Sequence, residues 1–447
     1  MRKLLVLMAF AVIVVGGLWA ATWPKPAVVI DAQAAQRAGD PVHGEYLARA
    51  GDCMACHTAK GGEPFAGGVP FPTPLGTVYS SNITSDGTHG IGNWSFEAFV
   101  RAMREGVAAD GSRLYPAMPY TAYAKVGDDD LKDLYAYFTT RVAPSTQANR
   151  KSDIAWPLSV RWPLAFWDKA FHDDTRFVAD PSKSVEWNRG AYLVQGLGHC
   201  GTCHTPRGAA FQELALTEHG PDYLSGSRLD DTSPINLRGD KGSGLGDWSK
   251  QDIVALLKTG RTPHSAVTGP MGEVVENSTQ YLADADLHAI AVYLKSFAAA
   301  RGKNDGTPAY AHDESTVESI RAGQANATGA RVYLDSCAAC HRQNGEGAPR
   351  VFPSLANNPM VLAAHPDSLI AVILNGSRLP STETAPSRLA MPPFGWRYSD
   401  EEVAALATFA RSSWGNHAAP VTADAVRDVR AHLATTAAAA ASGTQTP

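Results

Sequence analysis

The sequence predicts an all-α protein built from three like units in tandem. Three observations lead there. The pattern C-x-x-C-H occurs as "GDCMACHTAK" (51–60), "GHCGTCHTPR" (198–207) and "DSCAACHRQN" (335–344). Helical segments repeat around each copy in the same order. Their apolar residues recur at i, i+3 and i+4, as in Leu131, Leu134 and Tyr135, which marks one buried face of a helix.

The chain has 447 residues, 44% of them hydrophobic and 19% charged, with a net charge of −5, so it has room for several packed cores. Acidic and basic residues are interspersed. No basic face suggests a nucleic-acid partner. Arg2 and Lys3 precede an apolar run from Leu4 to Ala21. That pairing is expected of an export signal. Its length also allows a retained anchor. Ala32 and Ala34 offer a small-residue cleavage site beyond it.

All six cysteines lie in the three motifs: Cys53 and Cys56, Cys200 and Cys203, Cys337 and Cys340. None remains for a disulfide between distant segments. Structural zinc needs four ligands from paired motifs, which three like triads do not supply. A thioredoxin-like site needs one C-x-x-C in a βαβ setting, with no call for a following His. C-x-x-C-H instead matches covalent attachment of haem c. Two thiols add to the two porphyrin vinyl groups, and the next imidazole becomes the proximal iron ligand. The expected ligands on that side are His57, His204 and His341.

The sixth ligand of such an iron is commonly Met. Met1 and Met8 lie in the leader and Met54 inside the first motif. Only Met271 lies between the second and third motifs. The repeat selects among the rest. "NWSFEAFVRAMREG" (93–106) aligns with "DWSKQDIVALLKTG" (247–260), and "HPDSLIAVILNG" (365–376) is a looser copy. Each is an amphipathic helix closed by Gly106, Gly260 or Gly376. Met103 aligns with Leu257 and so reads as core. Met118, Met271 and Met391 each follow the closing glycine, and the first and third precede a proline that stiffens the loop. Met360 has no counterpart. The rival histidines His199, His264, His288 and His365 sit at no repeated position.

Each unit also begins with a Gly and a Tyr-Leu pair, in "GEYLARAGD" (44–52), "GAYLVQGLGH" (190–199) and "GARVYLDS" (329–336). Each ends with an acid-led helix, in "GDDDLKDLYAYFTTR" (127–141), "LADADLHAIAVYLKSF" (282–297) and "YSDEEVAALATFARSS" (398–413). Acids at a helix start suit the dipole.

This order of elements resembles class I cytochrome c, three times over. The triple arrangement resembles the three-haem cytochrome c subunit of membrane-bound periplasmic dehydrogenases, among them quinoprotein alcohol dehydrogenases and flavin-dependent gluconate, sorbitol and fructose dehydrogenases. The likeness spans about residues 36–416. It is sharpest in "SSNITSDGTHGIGNWS" (80–95), "LYPAMPY" (114–120), "FPSLANNPMVL" (352–362) and "RSSWGN" (411–416). It implies axial pairs His57 with Met118, His204 with Met271, and His341 with Met391. Some relatives use an amphipathic C-terminal membrane segment; here "LATTAAAAASGTQTP" (433–447) is small and polar and reads as disordered.

The expected layout is a signal peptide or anchor over 1–35 and cytochrome c domains over 36–145, 186–300 and 324–416. An aromatic-rich connection spans 146–185, a polar linker 301–323 and a flexible tail 417–447. In the connection, "IAWPLSVRWPLAFWDKAF" (154–171) reads as packing between domains or as a docking surface for a partner, membrane or quinone. Asn82 and Asn236 read as propionate donors or as plain turn residues.

With every iron six-coordinate, substrate has no open position, and no catalytic triad or paired carboxylate is evident. The expectation is an electron-transfer subunit with three haems c and no catalytic residue of its own. The resemblance implies a PQQ- or FAD-dependent dehydrogenase subunit as donor, possibly with a small third subunit. It implies ubiquinone or a terminal oxidase as acceptor, at the periplasmic face of the inner membrane. The alternatives are a free-standing or oxidase-associated carrier and, requiring one five-coordinate haem, a peroxidase.

Overall fold

The computed structural model describes residues 28–229, 232–300 and 310–442. The apolar leader run lies outside the described residues, as does the first part of the expected linker. The chain divides into two compact units, Met1–Val178 and Ala179–Pro447.

In the first unit, α1 (Ala32–Gln36) leads to α2 (Pro41–Ala50) and to the short α3 (Cys53–His57), which is the first motif. Asp40 caps α2, its carboxylate accepting from the Val42 and His43 amides, and Pro41 fills the first helical position. A hairpin follows, β1 (Pro70–Thr73) against β2 (Gly76–Tyr79), with Pro70 opposite Tyr79. Next come α4 (Phe96–Glu105), α5 (Tyr120–Tyr123) and α6 (Asp128–Thr140). Ser95 caps α4, and Gly106 ends it at φ +61°, a left-handed conformation that glycine adopts without strain. α7 (Leu164–Phe171) closes the unit.

The first and last helices of this plan, α2 and α6, cross in close contact. The crossing point is Gly44: a Cβ there would lie 2.0 Å from the Asp133 carbonyl oxygen. Around it Leu47, Leu131 and Leu134 are fully buried, and Phe65 packs edge-on to Phe138 at 5.4 Å.

The second unit repeats the plan twice. α8 (Val185–Gln195), α9 (Gly201–His204), α10 (Lys250–Thr259), α11 (Pro270–Asn277) and α12 (Asp284–Leu294) form one copy. After α13 (Ser315–Arg321), the other comprises α14 (Thr328–Ser336), α15 (Ala338–His341), α16 (Pro359–Leu362), α17 (Asp367–Asn375) and α18 (Asp400–Ser412), with β3 (Ser377–Arg378) paired to β4 (Ala390–Met391). The same crossing recurs. A Cβ on Gly190 would meet the Ala289 carbonyl at 2.0 Å, and one on Gly329 the Ala405 carbonyl at 2.2 Å.

The architecture is helix-rich with few strands, in two short antiparallel pairs. Two expectations are corrected. The tail carries α19 (Ala423–Ser442), which buries Val426 and Val429 against the last core. Its Arg430 bonds Asp400 and the Gly395 and Tyr398 carbonyls. Alanine is the strongest helix former, so the alanine-rich composition favours a helix, and the valines at i, i+3 supply its anchoring face. Likewise the end of the polar linker is helical: α13 buries Val317 and Ile320. Among the described residues no helix is long and apolar enough to cross a membrane.

Gly190→Ala should destabilise the second unit by about 1–3 kcal/mol, because the new methyl has a carbonyl where it must sit. Gly272→Ala, with nothing within 4 Å of the added atom, should stay within about 1 kcal/mol of the parent. Denaturant unfolding of the purified chain checks both.

Candidate haem sites

Each C-x-x-C-H begins within a few residues of the end of the first helix of its repeat, so the crossing helices fix where the motif starts. Asp52 (φ +48°) and His199 (φ +34°) make the left-handed step directly before Cys53 and Cys200. None of the six cysteines forms a disulfide. Burial pushes the thiols of Cys53, Cys200 and Cys337 up to about 12. Such thiols stay protonated at neutral pH, unlike the thiolates of redox-active cysteines.

The imidazoles share one arrangement. His57 Nδ1 lies 2.7 Å from the Ser81 carbonyl, His204 Nδ1 2.7 Å from that of Ile235, and His341 Nδ1 2.9 Å from that of Pro353. A carbonyl only accepts, so Nδ1 carries the proton and donates. Nε2 is left with its lone pair, the tautomer a metal ligand requires. Burial also holds all three below the ordinary imidazole range, even though His57 and His204 keep part of their surface in solvent. The rings are therefore neutral as well as oriented. Paired thiols followed by a neutral, oriented imidazole fit a haem c in each repeat.

Sequence reasoning missed the three acceptor carbonyls. They lie 24, 31 and 12 residues after their histidines, so no fixed spacing marks them. The residue after each acceptor is buried and polar: Asn82, Asn236 and Ser354. Asn82 donates to the Ser145 and Gln147 carbonyls and accepts from Thr84. Asn236 donates to Asp240 and accepts from the Arg238 amide. Both side chains brace the turn that carries the acceptor, the plainer of the two roles considered for them.

The methionines separate as follows. Met103 is buried in the core on α4. Met360 lies on α16, its sulfur 3.5 Å from Thr268 Oγ1. Met118 sits in the turn before α5, Met271 is the second residue of α11, and Met391 lies on β4. Two of the closing glycines pack on these segments. A Cβ on Gly376 would lie 2.4 Å from the Met391 carbonyl oxygen, and one on Gly106 2.6 Å from the ring of Tyr120. That contact explains why the Met loop follows the glycine. His264, His288 and His365 are exposed.

The Met118 turn has a second support. Asp168 on α7 is buried, and it accepts from Arg113 at 2.5 Å and from the Tyr120 hydroxyl at 2.7 Å. Arg113 and Tyr120 bracket Met118. Asp168→Ala should cost about 3–5 kcal/mol by leaving the Arg113 charge unpaired in a confined site. Thermal unfolding monitored at the Soret band checks this.

Comparison with known proteins completes the picture. A family model described as cytochrome c oxidase, cbb3-type, subunit III matches residues 324–409. The chain is 50% identical over 394 residues to the gluconate 2-dehydrogenase cytochrome c subunit of Pantoea cypripedii, covering 87% of this chain and 88% of that one. It is 48% identical over 379 residues to the cytochrome c subunit of the quinone-dependent alcohol dehydrogenase of Gluconobacter oxydans, covering 84% and 78%. It is 40% identical over 406 residues to the fructose dehydrogenase cytochrome subunit of Gluconobacter japonicus, covering 87% and 82%. With the motif geometry and these long matches together, the chain belongs to the cytochrome c subunits of dehydrogenase complexes, electron-transfer proteins that carry haem c.

Proposed function

We propose that the chain is a relay of three haems c, one in each of three tandem cytochrome c domains. Cys53 and Cys56, Cys200 and Cys203, and Cys337 and Cys340 would hold them covalently, with His57, His204 and His341 on one axial side and Met118, Met271 and Met391 on the other. The observation that carries this reading is the recurrence, at all three motifs, of an imidazole whose Nδ1 is bonded to a backbone carbonyl. A haem so bound passes single electrons between ferrous and ferric iron, and thioether ligation raises its potential. The protein's part is to fix ring orientation, keep the imidazoles neutral and present sulfur from a braced segment.

The donor is a dehydrogenase catalytic subunit, of PQQ- or FAD-dependent type; the relatives are cytochrome subunits of gluconate, alcohol and fructose dehydrogenases. The acceptor is ubiquinone or a terminal oxidase, at the periplasmic face of the inner membrane. A second reading, an oxidase-associated cytochrome, is favoured by the cbb3-type match over 324–409. It concerns residues 324–409 alone, whereas the dehydrogenase subunits align over 84–87% of the chain.

Pyridine haemochrome and intact mass should give three haems per chain, falling to two in the Cys337→Ala, Cys340→Ala variant. Met271→Ala should leave one site able to bind carbon monoxide and lower one of three midpoint potentials in a redox titration. Carbon monoxide binding by the parent chain would instead point to a native open position. Native co-purification in mild detergent decides the partner. A stoichiometric PQQ or flavin dehydrogenase supports the relay, and oxidase subunits or no partner overturn the assignment of the donor.

A further inference from the structure

We infer that residues 156–169 form the surface by which this chain docks on an anionic bilayer, and that this surface is rigidly tied to the Met118 turn. The inference rests on the proposed work at the membrane face and adds where the contact lies.

The observation is a two-sided helix. α7 turns Ala165 and Asp168 inward, where both are buried. Its opposite side and the preceding loop turn outward. Trp156 is 82% exposed, Leu158 58%, Trp162 45% and Phe166 42%. The Trp162 and Phe166 rings, one helical turn apart, pair edge-on at 6.0 Å and face solvent together. Large rings exposed so close together in the chain are costly in water and are expected where another phase covers them. Trp is the residue best suited to the headgroup region, because its ring is apolar and its N–H still finds a partner.

Charge selects the occupant. Segment 150–171 holds four basic residues, Arg150, Lys151, Arg161 and Lys169, and two acids. Asp153 is taken by the Tyr79 hydroxyl, and Asp168 is buried with Arg113 and Tyr120. Arg161 is half-buried over the Tyr115 ring and Arg150 lies over that of Tyr79, while Lys151 and Lys169 are exposed at the two ends of the segment. An apolar centre with a cationic rim complements anionic headgroups over acyl chains. The segment is firm enough to act as a platform. Asp153 N donates to the Thr77 carbonyl on the hairpin, and Arg161 lies 4.9 Å from the Tyr115 ring. Through Asp168 the platform is fixed to both sides of Met118. Docking would thus place the first motif's unit against the bilayer.

The test uses the full chain with its haems, co-floated with phosphatidylglycerol-containing vesicles and with phosphatidylcholine vesicles. Amide hydrogen exchange is followed in the same samples. Binding should favour the anionic vesicles and weaken with salt, and amides of 154–171 should slow on binding. Exchange reports on the segment whether or not the leader is retained. The triple variant Trp156→Ser, Trp162→Ser, Phe166→Ser should lose about tenfold or more in partitioning, with haem content and melting temperature unchanged. Trp396→Ser, equally exposed on the second unit, should bind like the parent. Full binding by the triple variant, or no slowing of 154–171, overturns the surface and leaves the relay reading intact. No vesicle binding by the parent overturns both the surface and the membrane location. Slowing of 154–171 by the dehydrogenase subunit without lipid overturns it in favour of a protein interface.

Discussion

The contact on which the rest of this structure depends is the crossing of the first and last helices in each repeat. At Gly44, Gly190 and Gly329 the facing backbone carbonyl comes within about 2 Å of where a Cβ would stand. In each case the next nearest side chain is an aromatic one turn on, Tyr137, Tyr293 or Phe409. Only glycine admits this approach. Once the helices touch there, the end of the first helix is fixed relative to the last, and the motif starts from a defined point. The aromatic rings then close the core around the crossing. Tyr293 packs against Trp187 at 5.1 Å, and Tyr333 against Phe409 and Trp414 at 5.2 and 5.1 Å. Each such pair adds about 0.5–1.5 kcal/mol beyond its burial.

The crossing sets where the imidazole begins, and a carbonyl sets how it points. The three acceptors differ in sequence distance but deliver the same tautomer, so the loops converge on a function and not on a length. The surroundings are not electrically alike. Beside the second motif Glu213 is held above the ordinary carboxylate range by burial, and Glu218 accepts from Gln195 and the Tyr293 hydroxyl. The third motif has Tyr333 and Trp414 as its large buried neighbours. In a confined, poorly solvated setting, such differences weigh more than they would in water. The second and third motifs, built on one plan, are thereby given different environments.

Much of the helical frame was legible from the residues. Motif spacing, the repeated Trp-led helices and closing glycines at Gly106 and Gly260 are local signals, and α4 and α10 lie where those signals placed them. Met103 as core also followed from aligning two helices. What escaped depends on contacts between distant segments. The hairpin of Pro70–Tyr79 is short and proline-containing, and it is held from outside by Asp153. The imidazole acceptors carry no side-chain signature at all, since a backbone carbonyl looks the same at every residue. α19 was hidden by composition: its fastening includes two arginines that pair with Asp400 and two valines, within an alanine-rich stretch. Asn82 and Asn236 stood out as residues, but their partners could be named only once the turns around them were folded.

One regularity emerges only from the folded chain. Each of the three methionine segments singled out by the repeat is irregular or short, and ordering such a stretch is entropically expensive. Each is buttressed by charged or polar groups from beyond its own repeat. Asp168, on the connecting segment, holds Arg113 and Tyr120 around Met118. α11, whose second residue is Met271, is held at Glu276 by Arg388 and the Ser381 amide, and just beyond it Gln280 accepts from the Glu383 amide. Arg430, on the tail helix, takes the Gly395 and Tyr398 carbonyls just after Met391. The connecting segment and the tail, which look like additions to a minimal plan, are thus the parts that hold its loosest elements. A repeat excised at the ends of its crossing helices would keep its thiols and its imidazole, and would lose the outside support of its methionine segment.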